Sequence, residues 1–347
     1  MIDSLTIKNF KKNNYLKLTN MGKITIIGGK NNSGKTTVLE SLYLLYNREL
    51  PKTILDIYFS HGVKVTFTND TFWAPLFNCY NMENEIKINV RYDGQSESLE
   101  IKRSNDVSTK VSLKNPEVVT KRLLDFIYTK NDKKIGVAHS FIDSSTIGNG
   151  STIKTNWEKP INNIKKISYI CPRLDYNPNE IATKFGEIDI SGGTSELVEA
   201  LKIIEPKIKS LSSVSHGNYS LIYGDVGIGR KIPLSFMGEG TAKLFSIILA
   251  IVTTRDGIVL IDELENGIHY SLFPKLWELL VKLSSPDKFN CQIILTTHSY
   301  ELLNSLKYEL SDKTNNSISY IRIDDNIAVT YDNEVLLNSL DNELEVR

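Results

Sequence analysis

The spacing of apolar residues predicts a chain that combines buried strands with amphipathic helices. Short and almost continuous apolar runs are typical of buried strands, and they lie at 24–27, 258–261 and 292–296. The run 167–171 predicts a further strand, which ends at Pro172. Apolar residues recur at helical spacing from Thr36 to Tyr46, and a strongly apolar helix is predicted from Ala242 to Val252. These two kinds of segment together predict the α/β class.

The N-terminal part also carries shorter β-rich runs, which predict an antiparallel sheet. The opening run Leu5–Phe10 alternates apolar and polar residues, and several β-rich runs follow between Ile54 and Ile101. Asp93 and Gly94 separate two of these runs, and an Asp-Gly pair in that position is a hairpin signal. We therefore expect an antiparallel β region beside the central sheet.

The stretch of about 102–215 is predicted to form an inserted helical lobe. Pro116 indicates a helix onset, a second helix is expected over 194–211, and the polar segment 139–155 is predicted to be a loop. The basic stretch 101–134 is either a surface for nucleic acid or a partner, or a solvated helix face. Apolar positions show no sustained heptads, so no long coiled coil is expected here.

The C-terminal third predicts a hairpin and an acidic tail. The run 221–224 and the residues around 231–234 have the pattern of a hairpin that leads into the apolar helix. Residues 324–347 are acidic and predict a solvated tail around a short strand and helix.

Composition and charge limit the class of protein. The 347 residues are 41% hydrophobic and have a formal net charge of zero, which is ordinary for a globular protein and gives no global attraction to nucleic acid or membrane. Cys79, Cys171 and Cys291 are scattered and odd in number, which favours reduced thiols in the cytoplasm. We find no secretory segment, and the longest apolar run, Leu244–Val252, is too short to cross a bilayer. A cytoplasmic protein without a membrane anchor is expected.

The first apolar run leads directly into a candidate phosphate-binding loop. Gly29, Gly34, Lys35 and Thr36 fit the spacing G-x-x-x-x-G-K-T, between a predicted strand and a predicted helix. In such a loop the backbone N–H groups face phosphate oxygens, the lysine reaches the β- and γ-phosphates and the threonine hydroxyl binds Mg²⁺. The alternative is a glycine-rich turn without a binding role, but the predicted strand before it and the predicted helix after it favour the phosphate loop.

Two later strands end in residues suited to phosphate hydrolysis. The run 258–261 is followed by Asp262 and Glu263, so the strand end would place one carboxylate to hold Mg²⁺ and the next to orient and deprotonate a water. The run 292–296 is followed by Thr297 and His298, and a histidine at this place suits a sensor of the γ-phosphate. A lone histidine is more often structural, so its functional reading depends on the whole set of motifs.

A second phosphate-binding nest is predicted in front of the apolar helix. The run LSFMGEGT, 234–241, places a serine and glycines at a helix N-terminus. The chain already has its own phosphate loop. The second nest is therefore expected to cap a nucleotide bound to another copy of the chain.

In this order, the motifs resemble those of ABC-type ATPases of the RecF, SMC and OLD-like group, rather than transporter subunits. The residues that carry the resemblance are LTIKNF, the phosphate loop (Walker A), the 234–241 signature, IDE (Walker B), ENGIH and TTHS. The chain departs from the transporter pattern by reading SFMGEG in place of LSGGQ, and by having His269 where transporters have an aspartate.

The resemblance implies a P-loop NTPase fold with a mixed central sheet, in one domain over 1–347, and a head-to-tail homodimer that holds two ATP molecules at its interface. Glu263 would be the base, His298 the switch histidine, and Thr36 and Asp262 the Mg²⁺ ligands. The phosphates would be held in cis by Gly29, Asn31, Asn32, Ser33, Gly34, Lys35, Thr36 and Thr37. The partner's nucleotide would be held by Ser235, Gly238, Glu239 and Gly240.

For the biological role, the resemblance implies a dimeric ATP-driven switch. OLD-like nucleases continue into a Toprim domain, but this chain has only about fifty residues after TTHS, so any nuclease is expected to be a separate effector protein. An anti-phage defence ATPase is the first hypothesis. A RecF-like repair ATPase that binds DNA, and a nucleotide-gated scaffold with negligible hydrolysis, are the alternatives.

Overall fold

The computed structural model describes residues 1–63, 72–104, 123–143, 152–161, 165–171, 178–311 and 317–346. The helix onset predicted at Pro116 and most of the β-rich run at 63–69 lie outside these residues.

The described elements alternate between strands and helices, as expected for the α/β class. The strands are β1 (Ser4–Phe10), β2 (Asn13–Leu18), β3 (Ile24–Gly28), β4 (Ile86–Tyr92), β5 (Gln95–Arg103), β6 (Leu123–Lys130), β7 (Lys133–Asp143), β8 (Thr152–Lys159), β9 (Ile167–Ile170), β10 (Ser210–His216), β11 (Tyr219–Asp225), β12 (Lys231–Pro233), β13 (Ile258–Ile261), β14 (Gln292–Thr296), β15 (Ile318–Asp324) and β16 (Ile327–Tyr331). The helices are α1 (Lys35–Tyr46), α2 (Leu50–Ser60), α3 (Pro178–Ile190), α4 (Thr194–Leu201), α5 (Glu239–Thr253), α6 (Phe273–Ser284), α7 (Tyr300–Asn304), α8 (Lys307–Ser311) and α9 (Asn333–Asp341).

The chain divides into two compact units. The first comprises Met1–Met21, Asn32–Lys165 and Ile323–Thr330, and the second comprises Gly22–Asn31, Lys166–Arg322 and Tyr331–Arg347.

The first unit contains the antiparallel sheet that the alternating runs predicted. Among the described residues the strand order is β2-β1-β4-β5-β6-β7-β8, with antiparallel pairing throughout. Asp93 and Gly94 form the turn between β4 and β5, and both have positive φ, as this hairpin turn requires. The hairpin prediction is confirmed.

The second unit contains the parallel strands of the central sheet, which are β15 as far as Arg322, β3, β14, β13 and β9, in this order. β3, β13 and β14 are buried along their whole lengths, which is typical of strands in a parallel sheet. The apolar helix α5 contributes Leu244, Phe245 and Ile248 to the core that packs against this sheet.

Several local predictions are wrong, and each has a physical reason. The run 54–60 is helical in α2, which begins beside Pro51, because proline suits the first turn of a helix. The described parts of the predicted loop 139–155, residues 139–143 and 152–155, are strand, since pairing between β7 and β8 satisfies their backbone despite the polar side chains. The described parts of the basic stretch lie in or next to β5, β6 and β7, including the turn between β6 and β7, rather than in a helix.

The helices of the inserted stretch also differ from the prediction. The helix expected over 194–211 ends at Leu201, and β10 begins at Ser210. An additional helix, α3, buries Ala182, Phe185 and Ile188 at helical spacing, which the glycine- and asparagine-rich surroundings obscured.

The acidic tail is more ordered than a solvated extension. β16 and α9 are the expected strand and helix, but Leu336, Leu340 and Val346 lie in the hydrophobic core of the second unit. The phenolic O–H of Tyr320 donates to the carbonyl of Val346. The tail therefore helps to close this core.

Candidate nucleotide-binding site

Three predicted motifs follow neighbouring parallel strands of the second unit. β14 lies between β3 and β13, with Leu295 opposite both Ile26 and Ile261. The carboxyl ends of parallel strands meet at one edge of a sheet. Gly29, Asp262 and Thr297 directly follow these three strands, so the structure brings the starts of all three motifs together.

The predicted phosphate loop contains three residues with positive φ. Gly29 has φ 132°, Asn32 has φ 61° and Gly34 has φ 100°. The backbone therefore alternates between negative and positive φ before α1 begins at Lys35. Lys30, Asn31 and Asn32 are exposed, whereas Ser33, Lys35 and Thr37 are buried. The buried Ser33 hydroxyl has no hydrogen-bond partner among the described residues. The loop therefore offers an unused polar group beside the start of the helix.

The turn between β1 and β2 lies against this loop within the first unit. The ammonium of Lys12 donates to the carbonyl of Asn32. A side chain at Gly34 would place its Cβ 2.6 Å from Oδ1 of Asn13, so only glycine fits there. Asn13 is fully buried, and neither its Oδ1 nor its Nδ2 has a partner among the described residues.

Asp262 and Glu263 are held by the neighbouring strand β14. The Thr296 hydroxyl donates to Oδ1 of Asp262 at 2.6 Å and accepts from the backbone N–H of Glu263 at 2.9 Å. Thr296 is fully buried and Asp262 is 6% exposed. One hydroxyl therefore fixes the first carboxylate and the backbone of the second residue.

Glu263 has a strained backbone and is fixed from three sides. Its φ is 50°, in the left-handed region that non-glycine residues seldom adopt. The amide Nδ2 of Asn266 donates to its carboxylate, and the ammonium of Lys243 donates to its backbone carbonyl. Such strain persists where surrounding contacts hold it, and it is common at functional sites.

His298 is paired with an acidic residue of the loop after Walker B. Its backbone N–H donates to Oε1 of Glu265 at 2.8 Å, and its Nδ1 lies 3.0 Å from the same oxygen. The imidazole is 45% exposed, whereas the Glu265 side chain is 9% exposed. One carboxylate oxygen therefore contacts both the backbone N–H and the Nδ1 of this histidine, and its imidazole is half-exposed.

Lys243 lies among the carboxylates of this loop. Burial lowers the pKa of Lys243 to about 8, and the nearby Glu265, Glu263 and Asp262 act in the opposite direction. A lysine so placed supplies both a hydrogen bond and a compensating charge to an acidic segment.

The second predicted nest is exposed. Ser235, Gly238 and Glu239 are exposed, and Gly238 is the N-cap of α5 with φ 111°. Gly240 packs so closely on the next loop that a Cβ there would lie 2.6 Å from the carbonyl oxygen of Gly267. The nest is therefore a surface feature, tied to the loop that follows Walker B.

Comparison with known proteins identifies the family. Residues 24–304, which run from β3 to α7, match the AAA domain family described as "AAA domain, putative AbiEii toxin, Type IV TA system". The chain belongs to this family. The match spans most of the chain and confirms the resemblance to ABC-type P-loop ATPases and the expected fold class.

Individual relatives agree with the family assignment. An ATP/GTP phosphatase of Helicobacter pylori is 27% identical over 334 residues, which cover 90% of this chain and 89% of that protein. An uncharacterised protein of Methanocaldococcus jannaschii is 32% identical over 111 residues, and the match covers 30% of this chain and about half, 48%, of that protein.

The chain is also similar, at low identity, to two solved structures. A structure titled as an SMC head bound to the C-terminal winged-helix domain of ScpA covers 95% of this chain and 96% of its own, with a TM-score of 0.48 and 12% identity. An SMC head domain from Thermotoga maritima covers 95% and 98%, with a TM-score of 0.38 and 10% identity.

The residues present fit a nucleotide and a hard divalent cation. The buried Ser33 hydroxyl has no hydrogen-bond partner among the described residues, and a hydroxyl is a donor that phosphate oxygens accept. A hydroxyl at Thr36 and a carboxylate at Asp262 are the oxygen donors that Mg²⁺ prefers. In the described part of the chain, no group of three or more His, Cys, Asp or Glu could hold a metal by itself, and Mg²⁺ commonly takes one or two protein ligands together with phosphates and waters.

Several residues of the site were missed by sequence reasoning. They are Asn13, Lys243, Glu265, Asn266 and Thr296. Glu265 and Asn266 lie in the quoted ENGIH motif, so a carboxylate and an amide next to Walker B were a usable signal. The other three lie in ordinary strand or helix patterns and reach the site only through the fold.

Within the described residues, no helix is both long and apolar enough to cross a bilayer.

Proposed function

We propose that this AAA-family chain binds and hydrolyses ATP with Mg²⁺ and acts as a dimeric switch. The observation that carries the proposal is the Thr296 hydroxyl, which fixes Asp262 and Glu263 together at the sheet edge where the phosphate loop begins.

The phosphate loop would hold the triphosphate. Backbone N–H groups from Gly29 to Thr37, together with the side chains of Asn31, Asn32 and Ser33, would bind its oxygens, and Lys35 would neutralise charge on the β- and γ-phosphates. Thr36 and Asp262 would hold Mg²⁺. The bound cation would supply further neutralisation of the phosphate charge.

Glu263 would act as the general base. Asn266 holds its carboxylate and Lys243 and Thr296 hold its backbone, so the carboxylate has one preferred direction in which to accept a proton from water. His298, held by Glu265, would contact the γ-phosphate through its Nε2. This division of roles needs positioning and charge rather than a covalent intermediate.

The exposed nest would complete the site of a second copy. Ser235, Gly238, Glu239 and Gly240 lie at the N-terminus of α5, where N–H groups and the helix dipole favour an anion. We propose that ATP is sandwiched between this nest and the phosphate loop of a second copy, which gives a homodimer.

The experiment compares the wild type with Glu263→Gln. Removing a general base typically lowers turnover about 100- to 10,000-fold. We therefore expect Glu263→Gln to bind ATP, to lose hydrolysis and to accumulate as a dimer when Mg²⁺ and ATP are present, measured by phosphate release and by sedimentation. Unchanged hydrolysis would remove the role given to Glu263, and an ATP-loaded monomer would remove the dimer.

The same assays settle the choice of nucleotide, since a relative is named an ATP/GTP phosphatase. We expect ATP to be the better substrate, and equal kcat/KM for GTP would contradict that part of the proposal.

We further propose a role in anti-phage defence beside a separate effector protein such as a nuclease. The support is the description of the family, which names a putative toxin of a toxin–antitoxin system. Co-expression with the product of the neighbouring gene should yield a stable complex that changes with nucleotide state. A chain that copurifies with no partner and binds DNA in a salt-dependent way would favour a repair role instead.

A further inference from the structure

Lys243 joins two motifs that are separated in sequence. It lies in the second turn of α5, the helix that begins directly after the exposed nest. Its ammonium donates to the backbone carbonyl of Glu263 at 2.5 Å. The signature helix and the residue after the Walker B aspartate are therefore connected by one hydrogen bond.

The bond fixes one of the two peptides that flank Glu263. The left-handed φ of 50° is a conformation that a glutamate seldom adopts, so it has to be held by its surroundings. The peptide that follows Glu263 carries its carbonyl, and rotation of this peptide would change the ψ of Glu263 and the course of the loop. Thr296 holds the N–H on one side of the residue, and Lys243 holds the carbonyl on the other.

The carboxylate depends on the same backbone. Asn266, which donates to the carboxylate, lies three residues further along, and its backbone N–H also donates to the Glu263 carbonyl at 3.1 Å. The carbonyl thus accepts from both Lys243 and the turn. If the peptide rotated, the turn that presents Asn266 to the carboxylate would open.

We propose that Lys243 is a positioning residue that holds Glu263 in its working conformation and so couples the signature helix to the hydrolytic step. This inference rests on the proposed function, because it takes Glu263 as the base. In the dimer, a shift of the Ser235–Gly240 nest on the partner's nucleotide would move α5 and its lysine, and so would reach Glu263.

A charge-balancing lysine would be the simpler role, and it predicts different kinetics. Asp262, Glu263 and Glu265 are the acidic groups that act on Lys243. If Lys243 only balanced their charge, its removal would alter stability and metal or nucleotide affinity. If it positions Glu263, its removal lowers kcat and leaves the KM for ATP nearly unchanged.

The experiment is a double-mutant cycle between Lys243→Met and Glu263→Gln. Lys243→Met should lower kcat on the order of 10- to 100-fold, since a bond from a charged donor is lost and a small misplacement of a catalytic group has this effect. In the Glu263→Gln background the same change should lower the single-turnover rate by less than about twofold, because the residue being positioned no longer acts as a base. An equal loss in both backgrounds, or an unchanged kcat, overturns the inference.

A conservative variant, a control variant and a replacement variant complete the test. Lys243→Arg keeps a charged donor and should restore kcat to within a few-fold of wild type. Lys275→Met removes an exposed lysine of α6 and is the matched control, with no expected change. If Lys243→Met does not fold, Lys243→Gln, which has a shorter neutral donor, replaces it with the same expectations.

A readout without turnover comes from hydrogen exchange of the nucleotide-free protein. Peptides that cover 262–267 should exchange about tenfold faster in Lys243→Met than in the wild type or Lys275→Met, because the backbone of the loop loses an anchor. Unchanged exchange there would overturn the inference. Absence of hydrolysis in the wild type would instead be a failure of the proposed function, so the two failures can be told apart.

Discussion

Thr296→Val tests the arrangement at the sheet edge most directly. Valine has nearly the shape of threonine, so the packing of β14 is kept while the hydroxyl is removed. The change leaves the backbone N–H of Glu263 without its partner and takes one hydrogen bond from Oδ1 of Asp262. Both groups are enclosed, because Thr296 is fully buried and Asp262 is 6% exposed.

The expected cost follows from these two lost bonds. A bond to a charged group contributes about 1.5–3 kcal/mol, and a buried unpaired N–H costs about 1–3 kcal/mol. Asp262 keeps another interaction, which favours the lower half of the range. We therefore expect a loss of roughly 3 kcal/mol in the second unit, which is large against a total stability of about 5–15 kcal/mol.

Hydrogen exchange at β13 and β14 measures this loss, because each 1.4 kcal/mol corresponds to about a tenfold faster opening. Thr296→Val should speed exchange there on the order of 100-fold and should also lower ATP turnover, since the positions of both carboxylates are relaxed. Thr296→Ser is the control: it keeps the hydroxyl, loses one methyl worth about 1 kcal/mol and should keep most activity.

If Thr296→Val exchanges and turns over like Thr296→Ser, the hydroxyl does not hold these carboxylates. Glu263 would then lose the contact that best supports its proposed role as the base.

Three further predictions test other parts of the molecule. Gly34→Ala should abolish nucleotide binding in a titration, because φ 100° disfavours alanine and the new Cβ would lie 2.6 Å from Oδ1 of the buried Asn13. Gly94→Ala is the control: φ is 74° there and no atom lies within 4 Å of the new Cβ. It should lower the free energy of unfolding by only about 1 kcal/mol and keep nucleotide binding. In the native protein a thiol reagent should label the exposed Cys79 and spare Cys291, because burial raises the pKa of Cys291 to about 11. Peptide mass analysis measures both labelling rates. Equal rates would contradict the burial of Cys291. The fold lowers the pKa of Lys243 from 10.5 to about 8, so between pH 8 and pH 10.5 the folded state binds fewer protons than the unfolded state. The contribution of Lys243 to the free energy of unfolding should therefore rise with pH across this window. In denaturant titrations at several pH values, Lys243→Met should show a smaller rise than the wild type.

The local motifs were predictable because each is contained in a short stretch. The phosphate loop, the strand that ends at Asp262 and the strand before His298 all follow from apolar runs of four or five residues with special residues at their ends. The Asp93-Gly94 turn was predictable for the same reason, since its chemistry is local. The boundaries of α1, of the buried strands β3, β13 and β14, and of the half-buried strand β9 follow the predicted runs closely.

The secondary structure of the inserted stretch was less predictable, because it depends on which strands pair with each other. β7 and β8 contain Ser140 and Thr155, which face each other with their hydroxyl oxygens 2.7 Å apart. Serine does not favour a strand, and a single strand-favouring threonine does not outweigh a polar, loop-like composition. Pairing with the next strand along the chain overrode the local signal, as context commonly does for strands.

The residues that support the site were hidden for a further reason. Thr296 is 34 residues from Asp262 and Lys243 is 20 from Glu263, and each lies in an element whose own pattern is fully explained by burial. A buried threonine in a strand and a lysine on an apolar helix raise no signal by themselves. Their roles depend on register: with Thr296 opposite Ile27 in the parallel sheet, its hydroxyl reaches the loop after β13.

This dependence on register explains why strain can be kept at Glu263. The contacts that hold it come from β14, from α5 and from its own turn, which are three separate elements of one unit. Loss of any single contact leaves two others, so each supporting variant should reduce turnover without abolishing the conformation. For Lys243→Met, which leaves the buried Thr296 hydroxyl in place, we expect a larger effect on the rate of hydrolysis than on the stability of the fold, and a comparison of kcat with hydrogen exchange tests that expectation.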